Sequence, residues 1–202
     1  MHATPWAVAG IVLLAGATAA PAQDAAARAA AARMQQKLTA IVTRGALPAS
    51  STPMPLQRTS FTDRELNAFF RVNGPEFLPA GVVDPQVAID RAGHVRFKAI
   101  VDLDLALRPK ERGWLDPLAY LGGKVELAGA GALHAANGRG VFRLDTATLG
   151  GVSIPRAVVQ EIVTYYSRND ALPRGFRLDE PFELPSAIRA VETAPGRATV
   201  VQ

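Results

Sequence analysis

From Val95 to Leu107 the side chains alternate. Val95, Phe97, Ala99, Val101, Leu103, Leu105 and Leu107 fall on one side, and Arg96, Lys98, Asp102 and Asp104 on the other. A period of two is the signature of a β-strand with one face against a core. At about 3.3 Å per residue, such a run extends roughly 43 Å, far beyond the usual strand of about five or six residues. The sequence therefore predicts a bent or coiled ribbon. Burying its apolar side is worth on the order of 10 kcal/mol gross, more than any ladder of surface ion pairs on the charged side, so the apolar side fixes the register.

The neighbouring segments supply partners for this ribbon. Val87 and Ile89 begin a strand that turns at Asp90-Arg-Ala-Gly93, with Gly93 suited to the left-handed position of the loop. Farther on, Asn137-Gly138 is the strongest short hairpin signal a sequence offers. Counting outward from it pairs Leu133 with Phe142, Gly131 with Leu144, Gly129 with Thr146 and Leu127 with Thr148. The resulting face is apolar at both ends and thin in the middle, where Gly129 and Gly131 leave room for another element or a ligand.

Helix signals are fewer. Thr62 and Glu65 make a capping box for a short helix whose Leu66, Phe69 and Phe70 share one side, and Phe61 with Leu66 is placed as a hydrophobic staple. Gly74-Pro75 ends it. A second helix is expected from Pro155 to Ser167, with Val158, Val159, Ile162, Val163 and Tyr166 as its apolar stripe. The chain closes through Pro181-Phe-Glu-Leu-Pro185, an apolar stretch at Ile188 to Val191, a Pro195-Gly196 turn and a strand over Ala198 to Gln202. Between the hairpins, a connector with Trp114 and Tyr120 carries Asp116-Pro117 in position to start a helical turn. The expected fold is α+β: a curved antiparallel sheet of about six strands with two or three helices packed on one face.

Upstream of this unit the character changes. Trp6 to Ala20 is a nearly uncharged run followed by Ala20-Pro-Ala22, which reads as a signal peptide over 1–22 with cleavage after Ala22 or Gln23. Residues 23–60 combine an Ala-rich helix from Asp24 to Arg44, with few large side chains to pack, and a linker rich in Pro, Ser and Thr. Residues 61–202 are expected to form one domain. The protein is thus expected to be exported, periplasmic or extracytoplasmic, or held by an N-terminal membrane anchor if the signal stays in place.

Composition narrows the chemistry. The absence of cysteine removes disulfides, thiolate metal sites and cysteine nucleophiles together. The net charge of +4 is spread among Asp and Glu rather than gathered in a block, which argues against a nucleic-acid partner. Arginine outnumbers lysine, which admits an anionic lipid head group and peripheral membrane contact. His94 and His134 lie near hairpin ends without a partner motif and read as surface residues. Asp102 and Asp104 share a side with Arg96 and Lys98, a mixed-charge surface rather than an acid–base pair. No nucleophile elbow or dinucleotide loop occurs. The expectation is a non-catalytic protein with no cofactor and no metal.

Gly150-Gly-Val-Ser-Ile-Pro155 with its following helix, the Leu184-Pro185 segment, Ile188, the Pro195-Gly196 hairpin and Val200 resemble bacterial envelope proteins of the tubular lipid-binding type, and the likeness runs over about residues 61–202. The resemblance implies a long curved sheet wrapped round a helix, with acyl chains in the gap. Two functions follow as expectations. One is a structural or interaction role in the cell envelope, with a protein partner. The other is binding of a lipid or other hydrophobic ligand in a groove between the 155–167 helix and the sheet, formed by Leu127, Gly129, Gly131, Phe142, Leu144, Val158, Ile162 and Tyr166.

Overall fold

The strong turn residues set the topology. Asn137 and Gly138 both adopt positive φ, 52° and 75°, and close the hairpin between β4 (Lys124–Ala136) and β5 (Arg139–Leu149). Gly93, at φ 71°, turns β2 (Val82–Arg91) into β3 (His94–Asp102). This computed structural model describes residues 19–48, 55–76, 78, 81–102, 123–168 and 172–202, and of residues 19–21, 165 and 166 the backbone alone. Most of the signal segment, residues 49–54 of the linker, and the ribbon beyond Asp102 with Trp114, Asp116, Pro117 and Tyr120 lie outside the described residues.

The protein is an α+β fold with two antiparallel sheets. The larger runs β2-β3-β4-β5-β6, where β6 is Val152–Ser153, and β7 (Phe182–Glu183) also pairs with β5. The smaller places β9 (Arg197–Val201) between β1 (Arg58–Thr62) and β8 (Ala190–Ala194). Strand β1 falls where the sequence predicts a linker and a helix start. Its five residues alternate exposed and half-buried, too short a run to stand out without the final strand beside it.

One register expectation is corrected. Leu133 does pair with Phe142 and Gly131 with Leu144, but the next step pairs Ala130 with Thr146, so Asp145 is an extra residue on β5. This bulge sets Gly129 opposite Ala147 and Leu127 opposite Leu149, in place of Thr146 and Thr148. The reason is burial: the shift brings Ala147 and Leu149 to the core side and turns the two threonines outward. Ala147 is buried beside Leu144, and Thr146 is exposed.

Helix α3 (Arg156–Ser167) covers the apolar side of the sheet. Val159 joins Leu144, Ala147 and Leu178 in a buried cluster, with Phe97, Phe142, Ile154, Val163 and Phe176 packed round it. Gln160 locks the 176–178 segment in place, accepting from the Leu178 N–H at 2.8 Å and donating to the Phe176 carbonyl at 3.1 Å.

Helix α1 (Ala19–Gly45) behaves differently from the expectation that it has little to pack on. Ala30, Ala31, Met34 and Ile41 are all buried, and Ala30 and Ala31 meet Ala68 of α2 (Asp63–Asn73). Alanine's small side chain is what lets the two helices come so close. The pair is fastened by Lys37, whose ammonium donates to both carboxylate oxygens of Glu65 at 2.9 Å. Glu65 also completes the expected capping box with Thr62, donating its backbone N–H to Thr62 Oγ1 at 3.1 Å and accepting the Thr62 N–H at 2.9 Å. At the far end of α1, the buried Gln202 amide donates to the carbonyls of Ile41 and Ser186.

Candidate ligand cleft

In the middle of β4 the side chains that point away from α3 are small: Ala128, Ala130 and Ala132 follow one another at alternate positions, between Glu126 and His134. Across the pairing, Ala130 lies between Arg96 of β3 and Thr146 of β5, and Ala128 between Lys98 and Thr148. A row of alanines between longer side chains leaves a trough, in the same way that a glycine does on a crowded face.

Helices α1 and α2 wall this trough. Asn67 ties α2 to the edge strand, donating from its amide nitrogen to the Val87 carbonyl at 2.8 Å and accepting the Val87 N–H at 2.7 Å. The enclosed space is a partly open cleft of about 1180 Å³. Its floor is Ala128 and Ala130, and Thr146 and Thr148 form one margin. Arg64, Asn67, Ala68 and Arg71 line it from α2, and Gln23, Ala26, Ala27 and Ala30 from α1. Both helical sets follow the i, i+3, i+4, i+7 spacing of a single helix side.

Four basic residues, Arg64, Arg71, Arg96 and Lys98, line the cleft against two acidic ones, Asp63 and Asp84. Arg96 is neutralised by Asp90, 2.7 Å away. Asp84 accepts from the Gln86 amide at 3.1 Å. Glu65, just behind the α2 wall, has its carboxyl held below the usual carboxylate range. Burial alone would raise it, but the Lys37 ammonium and the Thr62 N–H outweigh that.

The residues expected to hold a hydrophobic ligand lie on the opposite side of the sheet. Leu127, Gly129, Gly131, Phe142 and Leu144 do share one face, under α3. The room beside the glycines, however, is taken by the protein's own rings. A Cβ on Gly129 would come within 2.5 Å of Phe97 Cζ, and one on Gly131 within 2.5 Å of Phe142 Cζ. Of the helix residues, Val159 and Val163 pack into this core, while Val158 and Ile162 are half-buried outside the cluster. The Tyr166 side chain lies outside what is described.

His94 is a second correction. Its side chain is 14% exposed rather than a surface group, with Asp90 Oδ2 3.4 Å from Nδ1 and Asp145 Oδ2 3.5 Å from Nε2. Asp145, the extra residue of the bulge, reaches the histidine from β5 on the side of the sheet where Ala132 lies between the two strands. His134 is exposed, as expected.

The cleft itself went unread in the sequence. Its signal was the alternate alanines of β4 and the seven-residue spacing of Arg64 and Arg71, each of which is common by itself. Among the described residues no cluster of three or more His, Asp or Glu side chains could hold a metal ion. No described helix is long and apolar enough to cross a membrane. A scan against protein-family models and a search of curated proteins found no match. The likeness to tubular lipid-binding proteins thus rests on the residues quoted for it.

Proposed function

We propose that this is a non-catalytic, exported protein of the cell envelope that works by holding a partner or ligand in the cleft between α1–α2 and the outer side of the larger sheet. Export rests on the apolar run and small-x-small junction of residues 6–22. The observation that carries the binding role is the alanine-floored cleft of about 1180 Å³, a size that suits a ligand or an inserted segment of a partner. Nothing in its lining groups a nucleophile with a base, so the chemistry it supports is recognition.

The test is to fill the trough. Ala128→Trp places a large side chain on the floor while leaving the sealed core under α3 untouched. Backbone amides of α2 and β3 should exchange more slowly when the native protein is incubated with an envelope extract. The Ala128→Trp protein should lose that protection. Equal protection in both proteins would sink the reading.

A lipid or other hydrophobic ligand is the second reading. The observation in its favour is the apolar strip formed by Ala26, Ala27 and Ala30 of α1 facing Ala128 and Ala130. On this reading the ligand sits in this cleft, since the contact beneath α3 is filled by the protein's own side chains.

A further inference from the structure

We propose that the cleft takes a ligand bearing a phosphate-type anion, gripped by Arg64 and Arg71 from α2 and by Lys98 from β3. The inference rests on the cleft being the binding surface and adds the chemical class of what it binds. Several cations are held by carboxylates: Lys37 meets Glu65, Arg58 meets Glu192, Arg156 meets Asp179 and Arg177 meets Glu180, and in the cleft itself Arg96 meets Asp90. Among the described residues Arg64, Arg71 and Lys98 form no ion pair, and all three line one cleft.

Their placement selects the anion. On α2, the positions lining the cleft are Asp63, Arg64, Asn67, Ala68 and Arg71, so the side of the helix turned to the opening carries two exposed guanidinium groups. Seven residues of helix separate those two α-carbons by about 10 Å, a distance two arginine side chains span by converging on a point between them. Lys98 approaches from the sheet wall, beside Gln86 and Ala128. A carboxylate has two oxygens on one edge and satisfies one guanidinium fork. A phosphate ester has three terminal oxygens and a charge of about −1.5 to −2, enough to meet cations arriving from two walls at once. The hydroxyls of Thr146 and Thr148 on the far margin can donate to the same oxygens or to the rest of the ligand. Asp63 and Asp84 stand on the same lining, so they repel any anion that does not engage the cations directly.

Both a free phosphate monoester and the monoester head group of phosphatidic acid present this chemistry, and titration calorimetry separates them. The full chain is titrated with inorganic phosphate, with glycerol 3-phosphate, and with vesicles of phosphatidic acid or of phosphatidylcholine. Binding of glycerol 3-phosphate identifies a soluble ester; binding of phosphatidic acid vesicles alone identifies the head group. In either case Arg71→Ala and Lys98→Ala should each weaken affinity roughly tenfold, the effect of one lost charge-assisted hydrogen bond. Arg177→Ala, an exposed cation paired away from the cleft, should leave it unchanged. All three substitutions are at exposed side chains, and circular dichroism checks that each variant is folded. Failure of every phosphate probe to bind overturns the proposal, and so does an equal loss in Arg177→Ala. If the probes fail while Ala128→Trp still removes the protection conferred by envelope extract, the cleft remains the binding surface and the phosphate assignment alone is withdrawn.

Discussion

The two sides of the larger sheet are covered in opposite ways. Beneath α3, Leu144, Ala147, Val159 and Leu178 are buried among aromatic rings, and even the glycines of β4 are capped by Phe97 and Phe142. On the other side, α1 and α2 pack closely on each other and touch the sheet mainly at its edge, through Asn67 and Val87, so the trough between them stays open. The contrast comes from side-chain size. Large residues on the α3 side interlock and exclude solvent, whereas small residues on β4 and α1 leave the cleft unfilled. One side is a packed core, and the other keeps an open cleft.

The largest effect separating the two sides is expected from Leu144→Ala, which should lower unfolding free energy by about 3 kcal/mol through lost transfer energy and a residual cavity. Urea unfolding measures it. A loss below about 1 kcal/mol would mean that the α3 contact is looser than its burial indicates.

Next comes Gly131→Ala. The added methyl would lie 2.4 Å from the Arg143 carbonyl oxygen and 2.5 Å from the Phe142 ring, so something must move. An overpacking cost of about 2 kcal/mol is expected, read as a fall in thermal midpoint. Stabilisation by this change would show that the rings do not occupy the space above the glycines.

On the α1–α2 side the key group is Glu65. Its carboxyl titrates lower in the folded protein than in the unfolded chain, so the stability it contributes is full above the unfolded value and is lost as pH falls through the folded one. Glu65→Gln should therefore be less stable than the native protein near neutrality, and the gap should close in acid. Thr62→Ala, which removes the other half of the capping box, should cost about 1 kcal/mol. A gap that stays constant with pH would detach Glu65 from Lys37. The smallest effect is expected at the cleft margin, where Thr146→Ala should change stability by less than about 0.5 kcal/mol.

How much of this could be read from the chain depended on how local each signal was. Asn137-Gly138, the Thr62–Glu65 box and the alternation of Val95 to Val101 act over a few residues, and each appears as the sequence indicates. The pairing of Arg58–Thr62 with Arg197–Val201 is long-range and left no local mark. The alanines of α1 were read by their low apolar area, but their value lies in close approach to Ala68, which exists only once α2 is in place. Gly129 and Gly131 lie on β4 but face the packed core under α3, whereas the cleft opens on the other side of that strand. Their missing side chains are made up by neighbouring rings, while the alanines between them, pointing the other way, have no such compensation.

The extra residue at Asp145 means that β5 changes phase partway along its length. Regular pairing through Asp145, with no bulge, would send Ala147 and Leu149 outward and carry the hydroxyl groups of Thr146 and Thr148 into the greasy interior. One inserted amino acid thus lets a single ribbon satisfy an oily layer at both of its ends and still present a wettable rim to whatever enters from outside.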